Sequence, residues 1–208
     1  TRAINVDPDD VGPRVALREM LLAMNDPRGA TEAYRVVVES TRPVPPKYRQ
    51  MALGGLARAE LSFGRAPRVK EYAEAALKID AHDPVALLAM ADVSLNVGSA
   101  TTATEYASQV LQIKPGEPAA LVIQGRAALM SKRSEEGIAK IEEATQNDPR
   151  DIILRGVMSG AYLSLGGNLQ AFTLMRRASE MDPTDPSSHG RRGLFALPDS
   201  AVKAALDR

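Results

Sequence analysis

The 208-residue chain has no cysteine, no tryptophan and only two histidines, His82 and His189. Without cysteine there is no disulfide framework, no thiolate zinc site and no thiol nucleophile, although such a chain suits the cytoplasm and the periplasm equally. Aromatic residues make up 4% of the sequence, so a core must close by setting small residues against aliphatic ones. An excess charge of one sign is also missing, since 26 Lys and Arg offset 26 Asp and Glu. That balance offers no field to hold a polyanion, and the pairs Arg176-Arg177 and Arg191-Arg192 lack interleaved aromatics, so no nucleic-acid partner is expected. No apolar run approaches the roughly 20 residues that cross a bilayer, and no transmembrane segment is expected. Phosphate-loop, dinucleotide and H-E-x-x-H motifs are absent. His82 and His189 each lie beside a Pro-containing loop, where a histidine is ordinarily a solvated polar residue. Asp182, Thr184 and Asp185 lack the following Gly and Glu of a calcium loop. The chain is therefore expected to be no enzyme, with no catalytic residue, metal or cofactor.

What the sequence does contain is a period. Pro115, Pro149 and Pro183 are 34 residues apart, and three residues after each the next segment opens at Pro118, Ile152 and Pro186, with Pro84 one period upstream. Proline at the first turn of a helix loses nothing, because its missing N–H would have had no partner there. Asp83, Glu117, Asp151 and Asp185 immediately precede these starts and favour the positive helix end, and the aspartates can also cap it. A helix is thus predicted every 34 residues. Within each period Gly64, Gly98 and Gly166 mark a turn to a second helix, with Lys132 at the equivalent place in one unit. The second helices carry small or apolar stripes at i, i+4 and i+7: Ala103, Ala107 and Val110; Gly137, Ile141 and Ala144; Ala171, Met175 and Ala178. The first helices place a small residue at one register, Ala57, Ala91, Gly125 and Ser159, which lets antiparallel helices approach closely.

This pattern resembles the tetratricopeptide repeat, a 34-residue helix–turn–helix unit. The likeness rests on small residues at repeat positions 8, 20 and 27, glycine at 15 and proline at 32. It implies an all-α, right-handed α-solenoid of antiparallel helix pairs, a tetratricopeptide-like superhelix. Residues 50–185 are expected to form four repeats starting at 50, 84, 118 and 152. Residues 1–10 read as the end of a preceding repeat, 11–49 as a degenerate repeat with a Pro-rich insertion, and 186–208 as a partial repeat or C-terminal cap. In the insertion, Arg42-Pro43-Val44-Pro45-Pro46-Lys47, closely placed prolines forbid helix and predict an extended connector. The chain reads as a fragment of a longer repeat protein, and its uncapped ends are expected to promote self-association.

The resemblance also implies that the first helices line a concave side through positions 2, 5, 9, 12 and 13. Position 12 is Leu22, Leu61, Leu95, Leu129 and Leu163; position 9 includes Arg58, Asp92 and Arg126; positions 2 and 5 include Met51, Val85, Leu88, Val122 and Ile153. Two readings of the leucines stand open. They form an exposed aliphatic ladder that requires a partner, or each is core against its own second helix. The charged row either reads a ligand or pairs between neighbouring repeats. No unit carries the Lys and Asn at positions 5 and 9 with which some members grip a C-terminal carboxylate. The expected function is a non-catalytic scaffold that binds an extended or helical segment of a protein or peptide in an apolar groove. The alternative is an architectural spacer within a larger bacterial assembly, secretion or polysaccharide-export scaffold, the Ala- and Arg-containing, Cys-free composition reading as bacterial.

Overall fold

A computed structural model of the chain describes residues 27–41, 43–147 and 152–166. Among the described residues there are eight helices and no strand: α1 (Pro27–Val38), α2 (Pro46–Ser62), α3 (Ala66–Ile79), α4 (Pro84–Asn96), α5 (Ala100–Ile113), α6 (Pro118–Met130), α7 (Ser134–Asn147) and α8 (Ile152–Ser164). The fold is an all-α repeat solenoid of antiparallel helix pairs. It divides into two compact units, one ending at Ile113 and the other beginning at Lys114.

Helices α4, α6 and α8 start 34 residues apart, and proline occupies the first turn of α4 and α6. Asp83 caps α4, its Oδ1 accepting from the Val85 backbone N–H at 2.9 Å, whereas Glu117 makes no side-chain cap bond to α6. Helix α2 departs from the expectation. It begins at Pro46, ahead of the start at 50, so Pro46 and Lys47 are helical and, among the described residues of the connector, 43–45 lie outside helix. The reason is local: Pro45 sits in the cap place at ψ 137°, and Pro46 takes the first turn, where no N–H is needed.

The turns behave as the glycines suggest. Gly64 and Gly98 in the first unit have φ of 68° and 83°, and each turn closes with a bond back over the helix end, Arg65 N–H to Glu60 O and Ser99 N–H to Ser94 O. Lys132 in the second unit adopts φ 60°, the same left-handed geometry carrying a side chain. An L-residue there bears roughly 1–2 kcal/mol of strain, part of which glycine would return as unfolded-state entropy. Lys132→Gly is therefore expected to raise stability by about 0.5–1 kcal/mol, read as a higher thermal midpoint. An unchanged or lowered midpoint would show that this turn is not strained.

In the first unit α1 packs on α2, α2 on α3, α4 on α5, and α4 also against α2 and α3. Leu53, Ala57, Val69, Ala73, Ala76, Ala86, Ala89 and Met90 form one buried cluster, and Tyr34, Val37, Ala52 and Leu56 another. Glu60, fully buried at the end of α2, is held by the α2–α3 turn. Arg65 Nη1 donates to its Oε2 at 3.1 Å, and Arg68 Nη1 lies 3.6 Å from its Oε1. The stripe Ala103, Ala107 and Val110 on α5 is buried.

In the second unit α6 and α7 cross through two glycines, each against the other's carbonyl. A Cβ on Gly125 would lie 2.8 Å from Gly137 O, and one on Gly137 would lie 2.9 Å from Gly125 O. Ile141, Met158 and Ala161 form the core between α7 and α8. Half-buried Tyr162 donates its hydroxyl proton to Glu142 Oε1 at 2.8 Å. That bond, with burial and the Glu142 charge, raises the Tyr162 pKa above the ordinary 10.0. Because the folded state holds the proton more tightly than the unfolded one, this contribution is fully present below pH 10.0 and is lost as pH rises through the higher folded value. Tyr162→Phe is expected to flatten the fall in stability above that pH. Equal alkaline slopes in denaturant titrations of the two proteins would contradict it.

Candidate interaction surface

The first helices of the first unit bring several of the expected side chains together. Arg58 on α2 is exposed, while Met51 on α2 and Val85, Leu88 and Asp92 on α4 are half-buried. Where α2 faces α4, a cavity of about 130 Å³ opens, lined by Tyr34, Gln50, Met51, Gly55, Arg58, Asp83 and Val85. That is the scale of a cavity of roughly 150 Å³ that accepts a single small apolar group.

Each lining residue has a local reason for its place. Met51 and Arg58 are seven residues apart on α2, hence on one face with Gly55 between them. Gly55 admits the ring of Tyr34, whose Cζ and Oη occupy the space a Cβ would take. Asp83 is carried to the wall by its role as the cap of α4, and Val85 is the residue whose N–H it accepts.

Among the described position-12 leucines none is fully exposed. Leu95 is only 4% exposed. Leu61 is half-buried against the cluster that contains Val69 and Ala73 of its own second helix. Leu129 is half-buried over Gly137, where an added Cβ would come 2.7 Å from Leu129 Cγ. The physical reason is the helical repeat: positions 8 and 12 are one turn apart, so the leucine shares the face on which Ala57, Ala91 or Gly125 meets the second helix. Leu95 takes the core reading, and Leu61 and Leu129 are partly covered by their own second helices.

In the second unit Arg126 is exposed, Val122 is 9% exposed and Leu163 is half-buried. Leu22, the Ile153 side chain, and residues 1–26 and 167–208 lie outside the described residues. Among the described residues no group of three or more His, Asp or Glu could hold a metal ion, and no helix is long and apolar enough to cross a membrane. The sequence pattern missed the cavity because its walls join a helix cap, Asp83, to Tyr34 of α1, a residue some fifty positions away that the period does not mark. The adjacent glycines Gly54 and Gly55 inside α2 were the available signal, since helix interiors disfavour glycine unless something approaches closely.

Helix pairs repeating at this period, with small residues at their crossings, define the class as a tetratricopeptide-like repeat protein, and solved structures support it. A thermophilic tetratricopeptide-repeat protein from Thermus thermophilus superposes with a TM-score of 0.77 at 16% identity, covering 89% of this chain and 98% of that one. A chain of the APC/C hetero-tetramer Cut9–Hcn1 matches with a TM-score of 0.74 at 14% identity, over 93% of this chain and 38% of its own. YrrB, described as a tetratricopeptide-repeat protein with an unusual peptide-binding site, gives a TM-score of 0.53 at 14% identity, over 92% of this chain and 96% of that one. At these identities the likeness is one of fold. No protein-family model matches the sequence, and no curated protein matches it significantly.

Proposed function

We propose that the chain is a non-catalytic interaction scaffold that binds an extended segment of a partner protein along its first helices. The observation that carries this reading is the cavity between α2 and α4. It is lined by Met51, Arg58 and Val85, residues at the positions that the tetratricopeptide resemblance assigns to the inner side. A cavity of this size takes one side chain, so affinity must come from several such contacts along the helices, with Leu88 and Asp92 of the same unit as further contributors. The peptide site named for YrrB supports a peptide as the kind of ligand.

The test is a random peptide library displayed on phage and selected on the purified chain. Met51→Glu and Val85→Glu are each expected to weaken the selected peptides about tenfold or more, roughly 1.4 kcal/mol, while helical content is kept. Glu71→Lys, an exposed site on α3, should leave them unchanged. Peptides that bind all four proteins alike would refute the reading.

A second reading, an architectural spacer in a longer array, draws on one observation: the match to the Cut9–Hcn1 chain occupies 38% of that chain. A section of this length can be one stretch of a larger solenoid. In that case selection would return no peptide dependent on Met51 or Val85.

A further inference from the structure

We propose that the cavity between α2 and α4 receives one basic side chain, Lys or Arg, of the bound peptide, with Asp83 as the group that recognises it; this rests on the peptide-binding reading above. Asp83 has one oxygen more than its structural role uses. Its Oδ1 caps α4 through the Val85 N–H, while its Oδ2, closed off from solvent, has no hydrogen-bond partner, and the residue is 3% exposed. Capping alone does not call for that second oxygen, because Ser, Thr or Asn caps as well with fewer acceptors. The first helix that follows in the sequence, α6, does without any side-chain cap bond from Glu117. A buried acceptor left unmade carries its full desolvation cost, which an entering donor removes.

The surroundings favour a cationic donor on an aliphatic stem. Oδ2 lies against the backbone of Gly54 of α2, where even a Cβ would come within 2.9 Å, so an entering head reaches it only as the carboxylate turns from that backbone toward the cavity. Met51, Val85 and the Tyr34 ring supply apolar wall for methylenes, as long basic side chains require when only their heads are charged. Arg58, the cation of the lining, is exposed at the rim, where solvent and salt screen it, whereas Asp83 is shielded from both. A charge-assisted bond to a buried carboxylate is about twice as strong as a neutral one, so a basic head outcompetes a hydroxyl or amide of similar reach.

The experiment uses the whole chain and the phage-selected peptides. The selected set is expected to share one Lys or Arg position. Fluorescence anisotropy should show a loss of about tenfold or more for Asp83→Asn, a similar loss when that peptide residue becomes norleucine, and little further loss with both changes together. Asn retains the cap, and Asp83→Ser provides a second capping variant should Asp83→Asn melt early. Peptides that lack a shared basic residue yet lose binding on Met51→Glu would overturn the basic pocket and leave the groove standing, as would equal binding by Asp83→Asn. Selection of no peptide sensitive to Met51→Glu would overturn both.

Discussion

Gly55→Ala is expected to destabilise the first unit by about 3 kcal/mol or more, although alanine is the better helix former by roughly 1 kcal/mol. The sign reverses because the space beside Gly55 is taken. The Tyr34 ring of α1 lies where the new methyl would be, so the two cannot coexist without moving helix or ring. Tyr34 is almost wholly buried in the cluster with Val37, Ala52 and Leu56, and its expulsion removes a large apolar surface from the α1–α2 contact. Urea unfolding gives the loss as a lower midpoint, and hydrogen exchange should place it first in α1. The mechanism is separable from a general helix defect by a double-mutant cycle. With Tyr34→Ala already present, Gly55→Ala should cost little or even stabilise, since the obstacle is gone. Additive losses would show that the ring is not what forbids the methyl.

Gly125→Leu is the corresponding change in the second unit, expected to cost about 3 kcal/mol, the upper end of the usual range for an overpacked core. A Cβ at this place would lie 2.6 Å from Ile141 Cγ1 and 2.8 Å from the Gly137 carbonyl. Ile141 could shift its side chain, but the carbonyl belongs to the backbone of α7, so α6 and α7 must separate. Separation also strips Leu129 from its seat over Gly137. Gly125→Ala should show the same direction with a smaller loss. Thermal melts and exchange rates across α6 and α7 provide the measurement, and a neutral Gly125→Leu would mean that the helices cross elsewhere.

How much of this was legible beforehand follows from which interactions are local. The starts at Pro84 and Pro118 could be read because a ring-fixed φ and a missing N–H suit only the first turn, a property of the residue itself. The turns at Gly64 and Gly98 could be read for a similar reason, and Lys132 stood out as the exception it proves to be. Small residues at Ala57, Ala91 and Gly125 announced close helix contacts because only a short side chain serves there. By contrast, the outward or inward aim of Leu61, Leu95 and Leu129 was open from the alignment of repeats. It yields only when their spacing from the small residues is combined with the observed second helix. The early start of α2 was hidden by three prolines, of which two precede the helix and one belongs to it.

The sequence by itself determined the period, the helix pairs and the absence of a thiol or an excess of one charge, because these depend on residue type and short-range backbone geometry. Tertiary structure alone decided that Tyr34 fills the notch at Gly55 and that the spare oxygen of Asp83 faces the bare backbone of α2. Those outcomes require segments distant along the chain to meet at ångström separations, and close packing, unlike periodicity, is a property of the assembled neighbours rather than of any one stretch.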